Sequence, residues 1–199
     1  MNSTFKDAIE RRRSIYAIGK REVVKSERVA EIVKHAATHV PSPFNSQSAR
    51  ALVLFGEESS AFWGMVRSAL KPLVPPAEFP KTEAKIASFD SGYGTVLFFE
   101  DQETVESLRS RFALYADKFP LWSLESNGML QYAVWTALED EGLGASLQHY
   151  DPLVDEAVRA RWGVPSSWKL LAQMPFGSVE APAGEKDFMP IAERVWVRS

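Results

Sequence analysis

An α+β sandwich is the fold class this sequence predicts, and three observations predict it. Apolar residues recur at helical spacing, then in strand-like runs, then again at helical spacing and again in strands, without strict strand–helix alternation. Hydrophobic residues make up 45% of the 199, enough for a real core and too many for a disordered chain. The segment "GTVLFFED" is apolar at nearly every position, as expected of a central strand covered on both faces. Length favours one domain over residues 1–199, and no internal repeat or low-complexity segment divides it.

The first helix begins in "STFKDAIERRRS", where Thr4 caps it and Asp7 completes a variant of the capping box. Phe5, Ala8 and Ile9 share one face, and Arg12 is the next position on that face. A buried guanidinium needs an anion or several acceptors. Arg11 and Arg13 point elsewhere and read as solvated. A second helix follows Ser26, with an inward stripe of Val29, Ile32, Val33, Ala36, Ala37 and Val40. Pro41 and Pro43 end it, and Ser42, Asn45, Ser46, Gln47 and Ser48 form a polar loop.

"RALVLFG" reads as a strand, and Phe62, Met65, Val66, Ala69 and Leu70 mark the next helix. "PLVPPAEFP" is a proline-rich loop within the domain. After the central strand, Val105, Leu108, Phe112 and Tyr115 fall on one helical stripe. The stretch 121–143, rich in Leu, Ala, Met and Trp, predicts a long, deeply buried helix. "GLGASLQHYDP" leaves it through Gly142 and Gly144 into a short extended segment. "DPLVDEAVRARWG" is a short helix, "WKLLAQMPFGS" an apolar strand, and "RVWVR" in the tail alternates like another strand.

Composition narrows the chemistry. A net charge of −3 does not favour general binding to a nucleic-acid backbone. The absence of cysteine removes disulfides, thiolate metal sites and cysteine nucleophiles, and suits a reducing compartment such as the cytoplasm. The start "MNSTFKDAIE" is too polar for a secretory signal, and the runs "LVLF" and "TVLFF" are too short to span a bilayer. His35 and His39 are four residues apart, but the metalloprotease glutamate is missing and His149 is distant, so no metal is expected. No nucleophile elbow, Walker loop or dinucleotide fingerprint is present. What remains is a set of polar segments: 11–14, 41–48, 81–85, 144–150 and Lys186. Each alone has a bland explanation in a solvated face, a self-satisfied loop or a helix cap; together they are candidates for one ligand site.

At these places the chain resembles the FMN-dependent nitroreductase family, and within it a compact branch with fungal and bacterial members. The resemblance rests on "RRRSIYA", "PSPFNSQSAR", "GYGTVLFFED", "GLGASLQHYDP" and "MPFG…PAGEKDFMPIAERV", and covers nearly the whole length. It implies a central, mostly antiparallel sheet flanked by helices. It also implies a homodimer in which each C-terminal strand joins the partner's sheet, with two FMN molecules at the interface.

By this resemblance, Arg12 meets the FMN phosphate, Arg13 and Ser14 line the phosphate and ribityl chain, and Lys186 is a second cation at the phosphate. Ser42 and Asn45 match the loop supplied by the other subunit, and Gln47 of that loop is a further flavin contact. Backbone amides at Gln148 and His149 fall near flavin N5 and O4. Lys85, with Lys81 nearby, lies where the family places polar contacts to the ring. Three departures stand out: Phe188 replaces a second basic residue, Ser48 and Ala49 replace a Pro-Trp pair, and Tyr16 replaces a basic residue near the ring. The activity implied is hydride transfer from NADH or NADPH through flavin N5 to nitroaromatic or quinone-type acceptors. The alternative is a flavin-binding redox sensor without turnover.

Overall fold

The computed structural model describes residues 4–198. In chain order its elements are α1 Phe5–Arg11, β1 Ile18–Gly19, α2 Ser26–His39, β2 Ala49–Phe55, α3 Gly56–Leu70, α4 Phe79–Asp90, β3 Gly94–Asp101, α5 Gln102–Arg111, α6 Phe119–Asp140, β4 Leu143–Ala145, α7 Asp155–Trp162 and β5 Trp168–Val179. Short 3-10 turns lie at Pro43–Asn45, Ala113–Tyr115 and Ile191–Glu193. The strands form one antiparallel sheet in the order β1-β5-β3-β2, with β4 also paired to β5.

As the apolar run of residues 94–101 requires, β3 is central and buried along its whole length. Its side chains alternate between two cores. Val96 and Phe98 meet α2 and α6, while Leu97 and Phe99 meet α3, α4 and α7. Each such buried side chain contributes about 1.5–3 kcal/mol relative to exposure. A β-bulge changes which residues of β5 face each core. Pairing steps from Phe98↔Ala172 to Phe99↔Leu170, so Leu171 is the extra residue. Leu170 therefore joins the α3/α4/α7 core although Ala172, two positions on, faces α2 and α6.

The capping box forms as expected: Asp7 N–H donates to Thr4 Oγ1 at 3.2 Å and Thr4 N–H to Asp7 Oδ2 at 3.0 Å. Several expectations need correction. Phe5 is exposed, and only Ala8 of its face is buried. Ala37 is exposed at the end of the α2 stripe. The stripe of residues 105–115 is split, because α5 ends at Arg111 and Tyr115 belongs to a separate turn. The proline-rich loop leads into α4, a helix the spacing does not announce, since only Ile86 and Phe89 are buried on it. The long helix α6 is not buried all round: Leu121, Leu124, Met129 and Tyr132 are exposed. Among the described residues "RVWVR" joins no ladder; residues 194–198 follow the last turn without strand pairing, and Val195, Trp196 and Val197 are exposed.

Beneath the polar loop, Glu100 is fully buried at the end of β3. Asn127 Nδ2 donates to Glu100 Oε2 at 3.0 Å and to the Phe99 carbonyl at 2.8 Å. Burial raises the carboxyl pKa above 4.5, and hydrogen bonds from Ser48 and Asn127 offset part of that rise. With the folded pKa above the unfolded one, the contribution to stability is largest below the unfolded value and is lost as pH rises through the folded value. Glu100→Gln keeps an acceptor for Asn127 and removes the charge. Thermal melts across pH should therefore show the variant above wild type near neutrality, with the gap closing towards acid; a gap constant with pH would exclude this account.

Candidate functional site

The end of α1 separates three consecutive arginines. At Arg12 the backbone turns to φ −56°, ψ 114° and leaves the helix, so the side chains diverge. Arg11 turns to the end of α6, where its Nε lies 3.0 Å from Glu139 Oε1 and its Nη2 3.2 Å from Asp140 Oδ1. Arg12 lies across α6 instead, its guanidinium carbon 4.5 Å from the centre of the Trp135 ring system and 5.6 Å from that of Tyr132. Its Nε is buried without a hydrogen-bond partner. Arg13 Nη2 donates to the Gly184 carbonyl at 2.8 Å. Neither Arg11 nor Arg13 is merely solvated, because each finds acceptors across the chain.

Ser14 forms a parallel bridge with Ala145, and the Ile15 N–H donates to the Ala145 carbonyl at 2.9 Å. This bridge seats the arginine segment beside β4. The segment 182–186 returns over it, pinned by Arg13. Together they enclose a cleft of ≈ 470 Å³ lined by Arg12, Arg13, Ser14, Tyr16, Lys186 and neighbours. Three cations line it, and Glu185 is the only acid among the lining residues. A cleft with a cationic excess favours an anion, and planar guanidinium forks suit phosphate.

Of the residues singled out in the sequence, Arg12, Arg13, Ser14 and Lys186 come together here. The others lie outside the cleft. The Gln148 N–H donates to the Gln173 carbonyl at 2.7 Å and its side chain to Ser146 Oγ at 3.0 Å, so the backbone amide is already engaged within the chain. That corrects the expected role of the Gln148 amide; His149 is exposed beside it. Lys85 Nζ sits 5.9 Å from the Phe89 ring, which in turn lies 6.4 Å from Tyr16 at the cleft rim. Lys81 is exposed earlier on α4.

Ser42, Asn45 and Gln47 are held elsewhere. Ser126 Oγ donates to the Pro41 carbonyl at 2.9 Å, and Ser126 precedes Trp135 on α6 by about 14 Å of helix axis. The polar loop is sharply shaped: Phe44, Asn45 and Gln47 have φ of 55°, 52° and 50°. The Gln47 N–H donates to Ser42 Oγ at 2.9 Å, and the Phe44 ring packs 4.6 Å from Phe112 and 5.3 Å from Phe119. The rings of His35 and His39 are 4.4 Å apart, and among the described residues no group of three or more His, Cys, Asp or Glu is arranged to hold a metal. Trp135, Tyr132 and Gly184 escape sequence reasoning. The two aromatics read as core of an apolar helix, and only their spacing of three places them on one face.

Comparison with known proteins is consistent across the chain. Residues 9–178 match the model of the Nitroreductase family. Nitroreductase FRM2 of Saccharomyces cerevisiae is 36% identical over 186 residues, 92% of each chain. Nitroreductase CinD from Lactococcus lactis, solved in complex with chloramphenicol, is 47% identical with a TM-score of 0.90, over 98% of this chain and 100% of that one. A protein from Desulfovibrio desulfuricans solved in complex with FMN is 17% identical with a TM-score of 0.69, over 100% of this chain and 99% of that one, and shares the fold. No described helix is long and apolar enough to cross a membrane. Since the likeness of sequence and backbone extends over nearly the whole length, the chain belongs to the nitroreductase family.

Proposed function

We propose that residues 1–199 form one FMN-binding domain of an oxidoreductase that passes hydride from NADH or NADPH to electron-poor acceptors such as nitroaromatics and quinones. The observation that carries it is Arg12: a partly buried guanidinium, unpaired at Nε, at the wall of a cleft with Arg13 and Lys186. A phosphate monoester answers the positive charge that Arg12, Arg13 and Lys186 present to the cleft. The residues present therefore fit FMN. FMN, when bound, supplies the hydride chemistry at N5.

This chain's residues do the rest. Arg12 and Lys186 hold the phosphate by charge-assisted bonds, and the Ser14 hydroxyl donates to the phosphate or ribityl chain. Arg13 keeps the 182–186 segment over the cleft, and with it Lys186. The His149 N–H is the backbone donor offered to the ring. Tyr16, half exposed at the rim, offers a face on which an aromatic acceptor stacks. The complexes of CinD with chloramphenicol and 4-nitrophenol support nitroaromatic acceptors for this chain.

The working unit is a homodimer in this proposal. The exposed apolar face of α6, with Phe44 and the tail, favours association. Ser42, Asn45 and Gln47 are not among the residues lining the cleft of their own chain, and in this proposal they meet the flavin of the partner subunit. The test is reconstitution with FMN followed by steady-state oxidation of NADH or NADPH with 4-nitrophenol-type and quinone acceptors. Flavin absorbance with turnover is expected. Bound flavin without turnover would leave the redox-sensor alternative, and no flavin bands after reconstitution would remove the proposal.

A further inference from the structure

Arg11 and Arg12 are sequence neighbours in opposite electrostatic surroundings. Arg11 is bracketed by Glu139 and Asp140, which compensate its charge. Arg12 has no ion-pair partner among the described residues, and its Nε is buried without an acceptor. Something other than a carboxylate must hold it in place. The nearest candidate is the indole of Trp135, 4.5 Å from the guanidinium carbon, with the phenol of Tyr132 more distant at 5.6 Å.

An aromatic face attracts a cation through its ring quadrupole. It uses none of the guanidinium N–H donors and cancels none of the charge. A carboxylate in the same place would occupy the donor fork and neutralise it. Trp also gives the stronger attraction of the two ring types, and here it is the closer and less exposed one. We infer that Trp135 is a positioning residue for the anion seat. It fixes the plane of Arg12 while leaving the full charge and the outward donors to a phosphate monoester. The inference rests on the phosphate-seat proposal above and adds the residue that sets the strength of that seat.

The test compares FMN with riboflavin, which lacks the phosphate. The full-length chain, freed of flavin, is titrated with each ligand. Wild type should prefer FMN strongly. Trp135→Leu, which keeps apolar bulk against the core, should lose about tenfold in FMN affinity with riboflavin affinity nearly unchanged. Trp135→Phe, which keeps a ring face, should fall between the two. The ratio of the two affinities is the readout, because a merely structural role would weaken both ligands alike. A variant ratio equal to that of wild type overturns the role of Trp135 and leaves the phosphate seat standing. A wild type without preference for FMN overturns the seat and this inference together. If Trp135→Leu fails to fold, Trp135→Phe carries the same comparison, and an unchanged ratio there overturns the inference.

Discussion

Arg12→Ala is expected to weaken FMN binding about tenfold to a hundredfold, and Arg11→Ala to leave it nearly unchanged. The difference follows from what each arginine already has. Arg11 spends its donors on Glu139 and Asp140 on an exposed surface, where an ion pair contributes about 0–1 kcal/mol. Arg12 faces the cleft with a buried, unpaired Nε, so its contact with a phosphate is charge-assisted and partly desolvated. Losing such a bond costs about 1.5–3 kcal/mol. Alanine also removes the cation from between the cleft and Trp135, leaving Lys186 as the main charge at the seat. Titration of the flavin-free variants with FMN reads both effects. Equal affinities for the two variants would overturn the assignment of Arg12.

The second large effect is expected from deleting the tail from Arg194 onward. Val195, Trp196 and Val197 are 57%, 75% and 81% exposed, an unusual surface for three apolar residues in succession. Val195 and Val197 alternate with Trp196 as side chains do on the two faces of a strand, yet among the described residues no strand pairs with them. The strand β2 ends the sheet order and offers a partly exposed edge. Unpaired strand edges favour addition of another strand, and a second copy's tail is an apolar segment of the right length. The truncated protein should therefore show a lower dimer fraction by light scattering and a lower FMN occupancy by flavin absorbance. The two losses should track each other, because Ser42, Asn45 and Gln47 act across the interface in this proposal. A truncated monomer with full FMN would refute a site shared between subunits.

Much of this was legible in the sequence, for stated reasons. The central strand was legible because burial on both faces leaves no polar alternation to misread. The capping box at Thr4 was legible because it is local chemistry. Arg12 is partly buried, but helical spacing is not the cause: the backbone leaves the helix at that residue, and Phe5 on the supposed inward face is exposed. The helix α4 was hidden because its buried residues are few and prolines precede them. The burial of α6 was overestimated for a different reason. A helix apolar all round looks the same whether one face meets its own core or another molecule, and Leu121, Leu124 and Met129 are exposed here. Trp135 was hidden in that same composition, and the Gln148–Gln173 pairing was hidden because Gln173 lies on a distant strand.

The three positive-φ residues of the polar loop carry a further consequence. A non-glycine residue in the left-handed region costs about 1–2 kcal/mol, and Phe44, Asn45 and Gln47 all sit there. The Phe44 ring contacts and the Ser42–Gln47 hydrogen bond hold the loop in that shape within a single chain. The contacts that shape the loop thus all come from one chain. A surface preorganised in this way loses little conformational entropy when a second molecule or a ligand meets it, so more of the contact energy is retained as affinity.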